Sequence, residues 1–90
     1  MKINFKQITF TDLDGKETTF DMSKQLANYI YSETRDVEYA VLAQDIYKNG
    51  EVELTDEQID AIKEFLKQGF KAFVQMAFDK TIEKLKETKE

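Results

Sequence analysis

The hydrophobic and polar positions change period three times along this chain. Ile8 and Phe10 alternate with Gln7, Thr9 and Thr11, and Thr18, Phe20 and Met22 alternate with Thr19 and Asp21. Period two is the signature of a strand with one buried face. Between the two runs lies Asp12-Leu13-Asp14-Gly15-Lys16, and Asp-Gly favours a turn because glycine enters positive φ without steric cost. Residues 3–22 therefore predict a β-hairpin. Ile3 and Phe5 have the opposite parity to Ile8 and Phe10, so either a bulge falls near Lys6-Gln7 or this strand carries apolar contacts on both faces.

From residue 24 the period lengthens to that of a helix. Leu26, Ala27, Ile30 and Tyr31 share one side of a first short helix over 24–33, with Ser23 as its cap. The polar stretch 32–36 interrupts it. Val37, Ala40, Val41, Leu42, Ala43, Ile46 and Tyr47 form a second helix over 37–48, capped by Thr34 or Asp36 and stopped by Asn49-Gly50. Glu51-Val52-Glu53-Leu54 alternates as a short extended segment. Thr55-Asp56-Glu57-Gln58 then reads as a capping box, with Leu54 and Ile59 at the positions of a hydrophobic staple.

After that box the pattern predicts one long helix from Asp56 to about Lys86, interrupted only by Gly69. Thirty-one residues at ~1.5 Å each would span roughly 46 Å, whereas a domain of this size has a diameter near ~30 Å. The helix must kink at Gly69 or project. Ile59, Ile62, Leu66, Phe70, Phe73 and Ala77 make one apolar stripe; Phe65, Gly69, Ala72 and Met76 make a second, with Val74 and Phe78 further round. That is wider than the ~100° of an ordinary surface helix. Either the two short helices wrap it on both sides, or a second copy covers the surplus as a C₂ homodimer. The second reading nominates Phe65, Gly69, Phe70, Ala72, Phe73, Met76 and Phe78 as the interface. The charge-alternating end, residues 79–90, is expected to fray. The fold class that follows is α+β in a single small domain: an N-terminal β-hairpin, two short helices, a short extended segment and one long C-terminal helix.

Composition narrows the chemistry. The 90 residues contain no Cys and no His, which removes disulfides, thiolate metal sites, cysteine nucleophiles and the commonest general base. Asp12-Leu13-Asp14-Gly15 invites a calcium-loop reading, but Phe10 would occupy the first ligand position and Asp21 the place of a bidentate Glu. A hairpin turn is the better account. Asp56, Glu57 and Asp60 complement the positive end of a helix, and Glu51 and Glu53 mark the solvent side of an edge segment. The Lys63, Lys67, Lys71 series is a solvated helix face. Tyr29, Tyr31, Tyr39 and Tyr47 suit an interface or a half-buried core edge equally well. No catalytic residue, metal or cofactor is expected.

The charge pattern excludes further classes. Residues 1–54 carry 6 Lys/Arg against 10 Asp/Glu, and residues 55–90 carry 7 against 8, so neither half offers a basic face for nucleic acid. No run approaches the ~18 apolar residues of a membrane span, and the first twenty residues lack a signal-peptide core. A cytoplasmic protein is the expectation.

The stretch Leu42-Ala43-Gln44-Asp45-Ile46-Tyr47-Lys48-Asn49-Gly50-Glu51-Val52-Glu53-Leu54-Thr55-Asp56-Glu57-Gln58, with Met1-Lys2-Ile3-Asn4-Phe5-Lys6 and Phe70-Lys71-Ala72-Phe73-Val74, resembles small proteins of prophages and mobile elements of Bacteroides-type gut bacteria. That family has no assigned activity. The resemblance implies an accessory protein of phage or element origin. Taken with the apolar surplus, it points to a non-enzymatic protein–protein interaction or assembly role. The alternative is an acidic inhibitor that mimics nucleic acid, against which the interleaved lysines after residue 55 count.

Overall fold

The computed structural model describes residues 1–87. In chain order these form β1 (Lys2–Asn4), β2 (Ile8–Thr11), β3 (Glu17–Phe20), α1 (Ser23–Glu33), α2 (Val37–Asn49), β4 (Glu51–Glu53), α3 (Asp56–Gly69) and α4 (Ala72–Glu87). The α+β class is as expected. The strands, however, make two separate antiparallel pairs, β1 with β4 and β2 with β3.

The parity switch before residue 8 has a different cause from the two anticipated. The first strand ends at Asn4, whose Oδ1 accepts from the Lys6 N–H at 3.0 Å, and the Gln7 N–H closes a turn onto the Asn4 carbonyl at 3.1 Å. Ile3 therefore lies opposite Val52 of β4, and Phe5 donates its N–H to the Gly50 carbonyl at 2.7 Å. The hairpin proper runs from Ile8, opposite Phe20, to Thr11, opposite Glu17. Its loop is organised by Asp12, whose Oδ1 accepts from the N–H groups of Asp14 and Lys16 at 3.0 and 2.9 Å. Gly15 supplies the positive φ of 85° that this loop needs.

Two helix starts follow the sequence and one does not. Thr55 and Gln58 form the reciprocal capping box, and Asp36 caps α2 by accepting from the Glu38 N–H at 2.9 Å. Ser23 is instead the first helical residue of α1. It is buried, and both its N–H and its hydroxyl donate to Asp21 Oδ1, at 2.9 and 2.7 Å. Asp21, one residue before the cap position, does the work assigned to Ser23.

The helical run after residue 55 breaks where its one glycine allowed it. Phe70 is extended (φ −126°, ψ 153°) and still donates its N–H to the Leu66 carbonyl. Gln75 Nε2 donates to the freed Phe70 carbonyl at 3.1 Å, and the Lys71 carbonyl accepts the Val74 N–H at 3.0 Å to start α4. Two helices of 14 and 16 residues fit a molecule measuring 39 × 30 × 21 Å with a radius of gyration of 12.6 Å, which a single straight rod would overrun.

The core gathers Ile3, Phe5, Ile8, Leu26, Ile30, Ile46, Leu54, Ile62, Leu66 and Phe78, all at 2% exposure or less. It thus draws on both strand pairs and all four of these helices. As far as it is described, the last helix packs on the core and pairs with the hairpin. Thr81 and Ile82 are buried, and Leu85 packs on the core. Lys80 and Lys84 pair with Glu17 of β3. Residues 88–90 of the expected frayed end lie outside the described residues. No helix among the described residues is long and apolar enough to cross a membrane.

Candidate interaction surface

The seven nominated interface residues do not share one surface. Phe78 is wholly buried, stacked on Phe5 with centroids 5.9 Å apart and planes 9° from parallel. It belongs to the chain's own core and is withdrawn as a contact residue. Phe65 and Phe70 are half-buried around Tyr29, whose ring meets them edge-on at 6.3 and 5.5 Å. Tyr39 meets Phe65 from the other side at 6.3 Å. Gly69 lies under the same tyrosine, so close that an added Cβ would sit 2.3 Å from Tyr29 Cε1. These three residues serve the packing of α1 and α2 on α3.

Ala72, Phe73 and Met76 remain exposed at the start of α4, Phe73 at 52% and Met76 at 69%. Phe73 is not isolated. It meets Phe10 at 6.0 Å and Phe20 at 6.3 Å, and Phe10 meets Phe20 edge-on at 5.4 Å. Phe10 and Phe20 are half-buried residues of β2 and β3. Three aromatic rings and one methionine thus make a contiguous apolar patch, rimmed by Asp79, Lys80 and Glu83 along a shallow groove. The hairpin's contribution to it was missed. The signal was present: Phe10 and Phe20 share a parity with Ile8 and Thr18, and so a face of the hairpin, which is the face that a packed helix would cover.

A second groove runs between α1 and α2, lined by Ala27, Tyr31, Ala43 and Tyr47. Tyr31 and Tyr47 are exposed there, and Lys24 lies over the Tyr47 ring at 5.8 Å. The four tyrosines accordingly split evenly, two on the core edge and two in solvent. Between α3 and α4 the surface is polar, bridged by Lys63 and Asp79 at 3.8 Å.

The ionisable groups with shifted acidity are occupied by the fold. Glu17 is held below the ordinary carboxylate range, first by its hydrogen bond and then by its charge interaction with Lys84. Asp21 is lowered by its hydrogen bonds from Ser23. Burial raises the Tyr39 phenol, with Glu38 adding to the effect, so it stays neutral at physiological pH. Among the described residues no group of three or more His, Cys, Asp or Glu is disposed to hold a metal ion. Asp12, the nearest thing to a calcium ligand, spends its carboxylate on its own turn. No protein-family model matches the chain, and neither a curated protein nor a solved structure does.

Proposed function

We propose that this is a non-enzymatic interaction protein, an accessory factor of phage or mobile-element kind, that acts as a homodimer through the Phe10–Phe20–Phe73–Met76 patch. The observation that supports this reading is the exposure of Phe73 and Met76 beside two half-covered aromatic rings. A patch of adjoining large apolar side chains on a small domain marks a contact surface, whereas scattered ones do not. Aromatic residues and methionine are also the types enriched in interface cores.

The magnitude sets the concentration range. Full burial of a Phe or Met side chain is worth on the order of 1.5–3 kcal/mol, and here each is already partly covered. Two copies contribute four strongly exposed side chains, Phe73 and Met76 from each. Set against an association cost of about 4–15 kcal/mol, they supply only part of the free energy of a micromolar dimer, so further contacts must supply the rest and the dimer is reversible rather than permanent. Sedimentation velocity from micromolar to hundreds of micromolar should show mass rising from 10.6 kDa towards twice that value. Met76→Asp should hold it at the monomer with its helical circular dichroism unchanged. A wild-type chain that stays monomeric throughout overturns the homodimer.

A further inference from the structure

The sheet formed by β2 and β3 has two outer edges, and the described residues cover only one. On β2 the Thr9 N–H goes to Thr81 Oγ1 of α4 at 3.2 Å, and the same hydroxyl donates to the Ala77 carbonyl at 2.9 Å. Thr9 therefore points its backbone away from β3. By alternation, Ile8 and Phe10 exchange hydrogen bonds with Phe20 and Thr18, their register partners. The same alternation turns the backbone groups of Glu17 and Thr19 outward on the far side of β3. There they meet no partner among the described residues, and Glu17, Thr18 and Thr19 are all exposed. Two N–H and two C=O groups in this spacing are what an added antiparallel strand takes up.

Building on the homodimer reading, we infer that the added strand is β3 of a second copy, paired about a twofold axis at Thr18. The result is a four-stranded sheet in the order β2-β3-β3-β2. Charge selects both the occupant's register and the axis. A twofold antiparallel pair must set outward residue against outward residue, which leaves three registers centred on this strand. One opposes Glu17 to Glu17. Another opposes Thr19 to Thr19 and thereby Glu17 to Asp21. Both put carboxylates face to face, which destabilises a strand pair. The third opposes Glu17 to Thr19, Thr18 to Thr18 and Lys16 to Phe20, with no like charges directly opposed.

This register also gathers the apolar patches. Phe73 meets Phe20 of β3, and Lys80 and Lys84 reach Glu17 of β3. The side of α4 carrying these residues, with Met76 at the same helical spacing, thus looks towards β3. In the dimer the two β2 strands would be separated by three strand spacings, roughly 14 Å, with an α4 helix along the outer edge of each. Phe73 of each copy, resting on Phe10 and Phe20, would lie on the same face of that sheet.

Single cysteines report the register cleanly because the chain has none of its own. Thr18 and its twin form a non-hydrogen-bonded pair with Cα atoms about 4.5 Å apart, inside the range of a disulfide. Thr19 and its twin are diagonal, about 7–8 Å apart, and outside it. Thr18→Cys should oxidise to a covalent dimer and Thr19→Cys, equally exposed, should not. Thr19→Pro deletes an outward N–H that no bond among the described residues uses, and should raise the dimer dissociation constant at least tenfold with circular dichroism unchanged. If the wild type dimerises and Met76→Asp dissociates it, yet Thr18→Cys fails to cross-link or both cysteines link alike, the strand pairing is wrong and the homodimer stands. A wild type that is monomeric at hundreds of micromolar removes both.

Discussion

Gly69→Ala sets two opposed effects against each other at the α3–α4 junction, and the structure says which wins. Gly69 is the last residue of α3 and is not among the positive-φ glycines. On backbone grounds alanine should be welcome there, and in a helix interior it is worth about 1 kcal/mol over glycine. The space is the obstacle. The new Cβ would lie 2.3 Å from Tyr29 Cε1 and 2.5 Å from Cζ. Ordinary contact is about 3.5–4.0 Å, so the ring must retreat by about 1 Å or more. That ring is half-buried and held edge-on to Phe65 and Phe70 at 6.3 and 5.5 Å. Retreat forfeits part of two aromatic pairs worth about 0.5–1.5 kcal/mol each, within the ~1–3 kcal/mol that overpacking generally costs.

The expected net effect is a destabilisation of about 1–2 kcal/mol, read as a lower urea midpoint. At about 4–8 °C per kcal/mol for a domain of this size, the melting temperature falls visibly. A double-mutant cycle isolates the cause. In a Tyr29→Ala background the ring is gone, and Gly69→Ala should reverse sign and stabilise by up to about 1 kcal/mol. The coupling between the two sites should then be about 2 kcal/mol, as for residues in direct contact. If Gly69→Ala raises the stability of the wild type, or has the same sign in both backgrounds, the packing of Tyr29 on Gly69 does not control this junction.

Two further outcomes test how the hairpin is held. Thr81→Val keeps the shape of the side chain but strips the acceptor from the Thr9 N–H; it should cost about 1–3 kcal/mol and speed amide exchange at Thr9, and Thr81→Ser should restore most of both. Glu17 and Asp21 are both held below their ordinary values of 4.5 and 3.8, so their contribution is fully present above those values and is lost as pH falls through the lower folded-state ones. Acid unfolding should therefore lose part of its slope in Glu17→Gln, while the same substitution should leave the pH dependence above about 5 unchanged.

What could be read along the chain was local. Asp12 closing its own loop, Gly50 ending α2 at a φ of 75°, and Thr55 exchanging bonds with Gln58 all depend on residues within a few positions of one another. Their chemistry is complete before any packing occurs. The pairing of β1 with β4 is not of that kind. It joins Ile3 to Val52, and nothing in either segment names the other. Without that partner, the parity switch at residues 6–7 reads as a bulge or as a strand with apolar contacts on both faces. The real cause is that one strand stops and the chain turns to begin a second strand with a different neighbour.

The same limit shaped the reading of the interaction surface. Helical spacing alone gave 56–86 more apolar circumference than one chain could cover, because a continuous helix must carry every stripe along one axis. A break at Gly69–Lys71 removes that constraint. Phe65 and Phe70 can then point to Tyr29 while Phe78 turns into the core against Phe5. Most of the apparent surplus is absorbed in this way. The exposed remainder is Phe73 and Met76, and it falls where α4 meets the hairpin, beside the strand whose outer edge is open. Covered apolar area and a satisfied strand edge are separate requirements, since a hydrophobic contact needs no direction and a backbone hydrogen bond does. A partner that met only the first could sit on the patch in many orientations. One that meets both is held to a single register, which is why the strand pairing and the patch are tested by separate substitutions.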